Sequence, residues 1–356
     1  MRAAVARRDR LEVAELDDPQ PGSGHVLVKT LACGICGSDL HAAQDLRRFI
    51  ELTGRVGGPG SLDPDRDLVF GHEFCAEIVD FGPSTERRLP IGTQVCSFPA
   101  IVGPSGPQPI GYSNEFPGGL AELMTLQEAL LLPVPEGLSP EQAALTEPLA
   151  VGRHAVARAD LTGGEVCLVI GAGPVGLAVV AALRERGARP VIAADFSPTR
   201  RRLAEVAGAD EVIDPAARSP YAGWGDLGIP TGVGERTLMD MLGMPVRETV
   251  IFEAVGAPGV LQSIVDGAPP RARVVVVGVC MQPDGIEPFL AVAKELDVRF
   301  AFGYTPDEFA TTLETLGRHE LPAEALITLR VGLDGVSDAF AALRDPVEHG
   351  KVLVTH

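Results

Sequence analysis

At 356 residues the chain is longer than a single hydrophobic core of about 250–300 residues usually supports, so two domains are expected. Hydrophobic residues make up 46% and charged residues 22%, an ordinary globular balance. The formal net charge of −18, with no basic run longer than Arg200-Arg201-Arg202, argues against nucleic acid as a partner.

The first ten residues lack the apolar core of about 7–15 residues that a signal peptide needs. The longest apolar runs, residues 177–183 and 274–277, fall far short of the roughly 18–20 residues of a membrane span. The expectation is a cytoplasmic chain with no membrane partner. In that reducing setting six cysteines point to metal binding or burial rather than disulfides.

In chain order, residues 1–32 give short β-branched runs such as 26–30 between Pro- and Gly-containing turns, which predicts an all-β start. Residues 39–53 read as a helix carrying Leu40, Phe49, Ile50 and Leu52, and 54–67 as a loop. Strands are expected at 73–80 and 94–98. Residues 99–119 are rich in Gly and Pro without a clear period, a loop long enough to suggest a functional role. A helix over 140–159, interrupted near Glu147-Pro148, follows. The texture then changes to strand 165–170, helix 175–187, strand 191–195 and helix 198–207, the alternation of a doubly wound parallel sheet. It resumes at 248–253, 259–266 and 273–279. Residues 216–234, with the only tryptophan, Trp224, read as a surface excursion. Helices at 307–318 and 336–343 and a strand at 351–354 close the chain. The fold class is α/β: a mostly-β domain over 1–150, a doubly wound domain over 151–305, and a return segment, 306–356, that completes the first.

The turn after the first strand of the doubly wound domain is Gly171-Ala172-Gly173-Pro174-Val175-Gly176. A lone GxGxxG is weak, but here a buried strand precedes it, a helix begins in it, and Asp195 ends the next strand 24 residues after Gly171. Gly171 permits the tight turn, Gly173 lets backbone approach a pyrophosphate, and Gly176 allows close helix–strand packing. The free N–H groups at the start of the helix, which opens with Pro174 and Val175, then hold the diphosphate, although proline itself has none to give. Asp195 would accept hydrogen bonds from the adenosine ribose and repel a 2′-phosphate, which favours NAD. Arg200 is the countervailing feature, since an arginine near the ribose tolerates NADP. The bland alternative is a tight turn that binds nothing.

Cys36, His72 and one of Glu73 or Glu147 could supply three zinc ligands, with a fourth position open to water or substrate. Each alone reads more simply as a buried thiol, a core histidine or a carboxylate at a helix bend. What pairs them is resemblance. Cys-Gly-Ile-Cys-Gly-Ser-Asp-Leu-His at 33–41, Gly-His-Glu-Phe at 71–74, Glu-Pro-Leu-Ala-Val-Gly at 147–152 and the glycine loop, in this order, resemble the zinc-dependent medium-chain alcohol and polyol dehydrogenases. The likeness runs over nearly the whole chain, including Gly208-Ala209-Asp210 and the closing Gly350-Lys351-Val352-Leu353-Val354.

The resemblance implies a GroES-like catalytic domain joined to a Rossmann domain. It makes Cys36 and His72 zinc ligands and Glu73 a ligand or close neighbour, while Glu147 matches the sorbitol-dehydrogenase-like Glu-Pro. Ser38 and His41 fall at the family's proton-relay positions, and Asp39 either orients His41 or a nearby ligand or caps a helix. The implied activity is reversible oxidation of a small alcohol or polyol with hydride transfer to NAD. The implied assembly is a homodimer or homotetramer through a sheet edge near residues 298–304. Cys33 reads as packing; Cys167 and Cys280 read as core residues on buried strands.

Two features depart from the family. Most members carry four clustered cysteines that hold a structural zinc just past the Cys96 region, whereas residues 97–119 contain none, so one catalytic zinc per chain is expected. Cys36 and His72 stand 36 residues apart, with an excess around Gly57-Gly58-Pro59-Gly60, expected near the substrate mouth. Two other readings compete. Zinc-free NADPH-dependent quinone or enone reductases share the fold but lack the ligand set. An inactive zinc- and nucleotide-binding scaffold is disfavoured by intact Ser38 and His41.

Overall fold

Strand His25–Gly34 is the axis of the first unit because its alternating residues Val26, Val28, Thr30 and Ala32 are all buried. The computed structural model describes residues 1–7, 10–57, 62–344 and 348–356; Gly58, Pro59 and Gly60 of the loop expected near the substrate mouth lie outside these. The chain divides into Met1–Pro148 with Phe309–His356, and Leu149–Glu308.

In the first unit, His25–Gly34 pairs antiparallel with Glu73–Phe81, Leu123–Gln127 and Lys351–Thr355. These belong to a seven-stranded sheet extended by Gln94–Ser97 and Leu131–Pro133 on one side and Ile327–Gly332 on the other. The returning C-terminal strand thus enters the middle of the sheet and brings distant residues beside Gly34. Phe70, Ile78, Met124, Leu126 and Val354 fill the core beneath.

The second unit is a six-stranded parallel sheet in the order Glu211–Ile213, Val191–Ala194, Val166–Ile170, Thr249–Glu253, Arg273–Val276, Asp297–Phe300. Its central strands are apolar runs buried on both faces, as a sheet covered by helices requires. The chain order reverses between Val166–Ile170 and Thr249–Glu253, where the glycine loop emerges. Among the described residues no helix is long and apolar enough to cross a membrane.

Several expected elements differ. The helix expected over 39–53 is two helices, Gly37–Gln44 and Leu46–Arg55, because Asp45 leaves helical geometry and its carboxylate caps Arg48 N at 2.9 Å. The expected loop 99–119 contains a hairpin, Ala100–Gly103 with Gly106–Pro109. The helix expected over 140–159 breaks at Ala144 and Leu145, not at Glu147-Pro148. Pro148 sits in the first turn of Thr146–Ala159, where its missing N–H costs no helical bond. Trp224 is not a surface residue: it is buried, and its indole N–H donates to Gly267 O at 2.9 Å. Cys280 lies past its strand and is half-exposed. Cys167 is a core residue, and burial pushes its thiol up to about 12.

Candidate active site

The metal-ligand candidates of the first unit are placed by backbone, not by sequence spacing. Gly34 ends its strand opposite Glu73, and after Ile35 the extended residue Cys36 caps helix Gly37–Gln44. Gly71 holds φ at 107°, and a Cβ there would lie 2.7–2.9 Å from Cys33 Sγ and the backbone nitrogens of Gly119 and Leu120. Only glycine fits that position, and it turns His72 in just before strand Glu73–Phe81.

The ligand atoms of Cys36, His72 and Glu73 all lie within 4.8 Å of one another. Glu147, buried in the first turn of Thr146–Ala159, falls outside that trio. The set passes two tests for a zinc site. The first is that it joins thiol, imidazole and carboxylate; the second is that these atoms lie close enough together for one ion, while the buried His72 Nδ1, which has no hydrogen-bond partner, turns toward Asp39. Asp39 Oδ1 lies 3.4 Å from that nitrogen, an ion-pair distance without hydrogen-bond geometry.

Behind the trio lies a group the motifs did not reveal. Lys351 Nζ donates to both Glu73 carboxylate oxygens, at 2.7 and 2.6 Å, and to Ile35 O at 3.1 Å. Both side chains are buried. Burial opposes the lysine charge, but Glu73, with Cys36 and Glu147, outweighs it and raises the ammonium above its ordinary pKa. A lone lysine opening the apolar strand Lys351–Thr355 was the only sequence sign of this pair.

Asp39 is the third residue of its helix rather than the cap. Its Oδ2 accepts from Cys36 N at 3.0 Å, while Oδ1 faces His72, so it steadies one ligand's backbone and another's ring. Burial works against a charged His72, yet Asp39 and Cys36 prevail and raise its pKa. Ser38 is half-buried, with its Oγ 2.8 Å from the Tyr112 hydroxyl, a residue sequence reasoning missed. His41 is half-buried, and burial lowers its pKa. Cys33 is packing: wholly buried, against Gly71 and Gly119.

In the second unit, Gly171 holds φ at 90°, with Val255 and Ala254 where its side chain would be, and Gly176 presses on the Gly171 carbonyl. Gly173 differs. A Cβ there would meet only the end of the Arg200 side chain, at 3.6 Å or more, so the space over the start of helix Pro174–Glu185 is open to a ligand. Pro174 and Val175 form that first turn, half-buried. Asp195 lies just past strand Val191–Ala194 and accepts from Ala172 N at 2.8 Å and Ser197 N at 2.7 Å, which ties it to the glycine loop. Burial lowers the Arg200 pKa while Asp195 acts against that shift. Glu253, also missed by the motifs, is buried and accepts from Val255 N and Gly256 N at 2.7 and 2.8 Å, fixing the turn against which Gly171 packs.

Known proteins share both halves of this arrangement. The sequence matches the alcohol dehydrogenase GroES-like domain over residues 22–136 and the zinc-binding dehydrogenase family over residues 174–318. (R,R)-butanediol dehydrogenase of Bacillus subtilis is 30% identical over 362 residues, covering 97% of this chain and 96% of that protein. Sorbitol dehydrogenase of the same organism is 29% identical over 371 residues, covering 99% and 97%. The crystal structure of 2R,3R-butanediol dehydrogenase from Bacillus subtilis matches with a TM-score of 0.79 at 28% identity, over 100% of this chain and 99% of that one. The chain therefore belongs to the zinc-dependent medium-chain dehydrogenase/reductase family, with a GroES-like domain, a Rossmann-type domain and the character of an alcohol or polyol dehydrogenase.

Proposed function

We propose that the chain reversibly oxidises a small polyol or related alcohol to its carbonyl compound, with NAD as hydride acceptor and one zinc per chain. The convergence of Cys36, His72 and Glu73 carries this reading. When bound, zinc supplies a Lewis acid that acidifies an alcohol hydroxyl, and the nicotinamide supplies the hydride acceptor.

The chain's own residues do the rest. Cys36, His72 and Glu73 hold the ion, and Glu147 remains the candidate for an exchangeable fourth position. Lys351 offsets the Glu73 charge, so the ligand set passes less negative charge to the ion and leaves it more acidic. Ser38 meets the substrate hydroxyl, and His41, neutral near pH 7 because burial lowers its pKa, accepts the proton on its way out. Gly171, Gly173, Pro174, Val175 and Gly176 seat the dinucleotide. Asp195 has lone pairs beyond its two backbone bonds to offer ribose hydroxyls, and its charge opposes a 2′-phosphate.

The butanediol and sorbitol dehydrogenases among the relatives support a hydroxyl-rich substrate. The absence of cysteine from residues 97–119 supports a single zinc. A homo-oligomer joined along strand Asp297–Phe300 is supported by its outer place in the sheet and by exposed Phe300 and Phe302.

Metal analysis of the purified protein, with NAD and NADP reduction over simple alcohols, vicinal diols and polyols, tests the reading. One zinc per chain and NAD-linked turnover of a diol or polyol is the expected result. Zinc-free NADPH-linked reduction of enones would transfer it to the zinc-independent reductases. One zinc with no turnover would make it a scaffold.

A further inference from the structure

Glu253 ends strand Thr249–Glu253 as a buried carboxylate with no part in the ligand trio or the glycine motif. Its Oε1 accepts from Val255 N and Gly256 N, and its own carbonyl accepts from Val277 N and Gly278 N, both at 2.9 Å. One residue thus holds the turn after its own strand, 254–256, and the turn after the neighbouring strand Arg273–Val276, 277–279.

The two turns are pressed together where only glycine fits. Gly256 holds φ at 69°, and a Cβ there would lie 2.7 Å from Val279 N. A Cβ on Gly278 would overlap Gly256 N and lie 2.6 Å from Glu253 Oε2. Val255 and Val279, one from each turn, remain exposed. Burial raises the Glu253 pKa despite the Gly256 and Val255 N–H groups, so the ionised group costs the fold stability at neutral pH, and its place needs another account.

A dinucleotide bound where strand order reverses lies across the reversal. Asp195, past strand Val191–Ala194, marks the adenosine side of central strand Val166–Ile170. The turns that Glu253 joins follow the two strands on the other side, under the nicotinamide half.

We propose that Glu253 is a positioning residue for the cofactor: it clamps residues 254–256 to residues 277–279 and so shapes the floor beneath the nicotinamide half of the dinucleotide. The inference rests on the dinucleotide reading of the glycine loop.

Glu253→Met keeps the bulk of the side chain and leaves the Val255 and Gly256 N–H groups without their acceptor. In calorimetry of the zinc-loaded protein, the Kd for NAD should rise about tenfold, the scale of a hydrogen bond to a charged group. Adenosine monophosphate lacks the nicotinamide half, so its Kd should change by less than about twofold. Glu253→Gln retains an oxygen for both N–H groups and should bring NAD binding back to within about threefold of wild type. Unchanged NAD binding in Glu253→Met overturns the proposal. So does equal weakening of NAD and adenosine monophosphate, the mark of a domain loosened throughout, or a glutamine variant no better than the methionine one.

Hydrogen exchange in the wild type needs no variant and decides the matter even if Glu253→Met does not fold. NAD should slow exchange of the Val255 and Gly256 amides, and adenosine monophosphate should not; equal protection by both, or none by NAD, overturns the proposal. Wild type that binds no dinucleotide at all overturns the dinucleotide reading itself, and this proposal with it.

Discussion

Gly34 and Glu73 face each other across paired strands so closely that a side chain on Gly34 would overlap the Glu73 carboxylate. Gly34 is not required for a left-handed turn; it is required for room. The carboxylate occupies the volume a Cβ would take, and from there reaches Lys351 on one side and the Cys36–His72 pair on the other.

Replacing Gly34 with alanine should therefore evict Glu73 from its pocket. The expected cost is about 1–3 kcal/mol of stability, as for other overpacked core positions, together with reduced zinc retention. Urea denaturation and metal analysis after desalting would measure both. A variant that keeps full zinc would sink this account of Gly34.

Lys351→Met removes the cation but leaves Glu73 buried. Breaking a buried pair from one side costs about 3–5 kcal/mol, because the remaining charge has no partner. Metal-free protein should show that loss in denaturant titrations, and added zinc should recover part of it by supplying another positive charge. Equal stability of variant and wild type without zinc would show that the pair contributes little.

For the dinucleotide, Asp195→Asn keeps the size of the side chain and removes its charge. Preference for NAD over NADP, compared as kcat/KM, should narrow by about tenfold, the scale of one charge-assisted hydrogen bond. An unchanged ratio would move the discrimination elsewhere, with Arg200 the next residue to vary.

The pH dependence expected of Glu253 runs opposite to that of a salt-bridged carboxylate. Burial, partly offset by the bonds from Val255 and Gly256, raises its pKa above the ordinary 4.5. Between 4.5 and that raised value the folded state holds more protons than the unfolded one, so stability falls as pH rises through the window. Glu253→Gln removes this loss. Its stability relative to wild type should improve as pH climbs from 4.5 toward neutrality in thermal melts; a constant difference across that range would contradict the assignment.

The second unit was legible in the sequence because its strands are continuous apolar runs and its turn demands glycines for local reasons. Gly171 and Gly176 are confined by their own neighbours in that turn. The first unit was less legible where long-range partners decide. The hairpin at 100–109 is hidden by its glycines and prolines, and nearby Gln108, Ser113 and Glu115 are tied by side-chain bonds no periodicity encodes. Asp45 breaks a helix that its apolar pattern would have continued. Lys351 and Glu73 are 278 residues apart, and Tyr112 is 74 from Ser38, so neither pairing leaves a local trace.

The lobe from Ser97 to Gly119 has a consequence for how the protein survives scarcity. Ser113 donates to Gln108 at 2.6 Å, Gln108 donates to Glu115 at 2.8 Å, and Asn114 donates to the carbonyls of Asp63 and Asp67. Such cross-links need no metal. On the one-zinc reading proposed above, removal of the metal should leave this lobe folded, so that metal supply would set how much of the protein is active rather than whether the lobe forms.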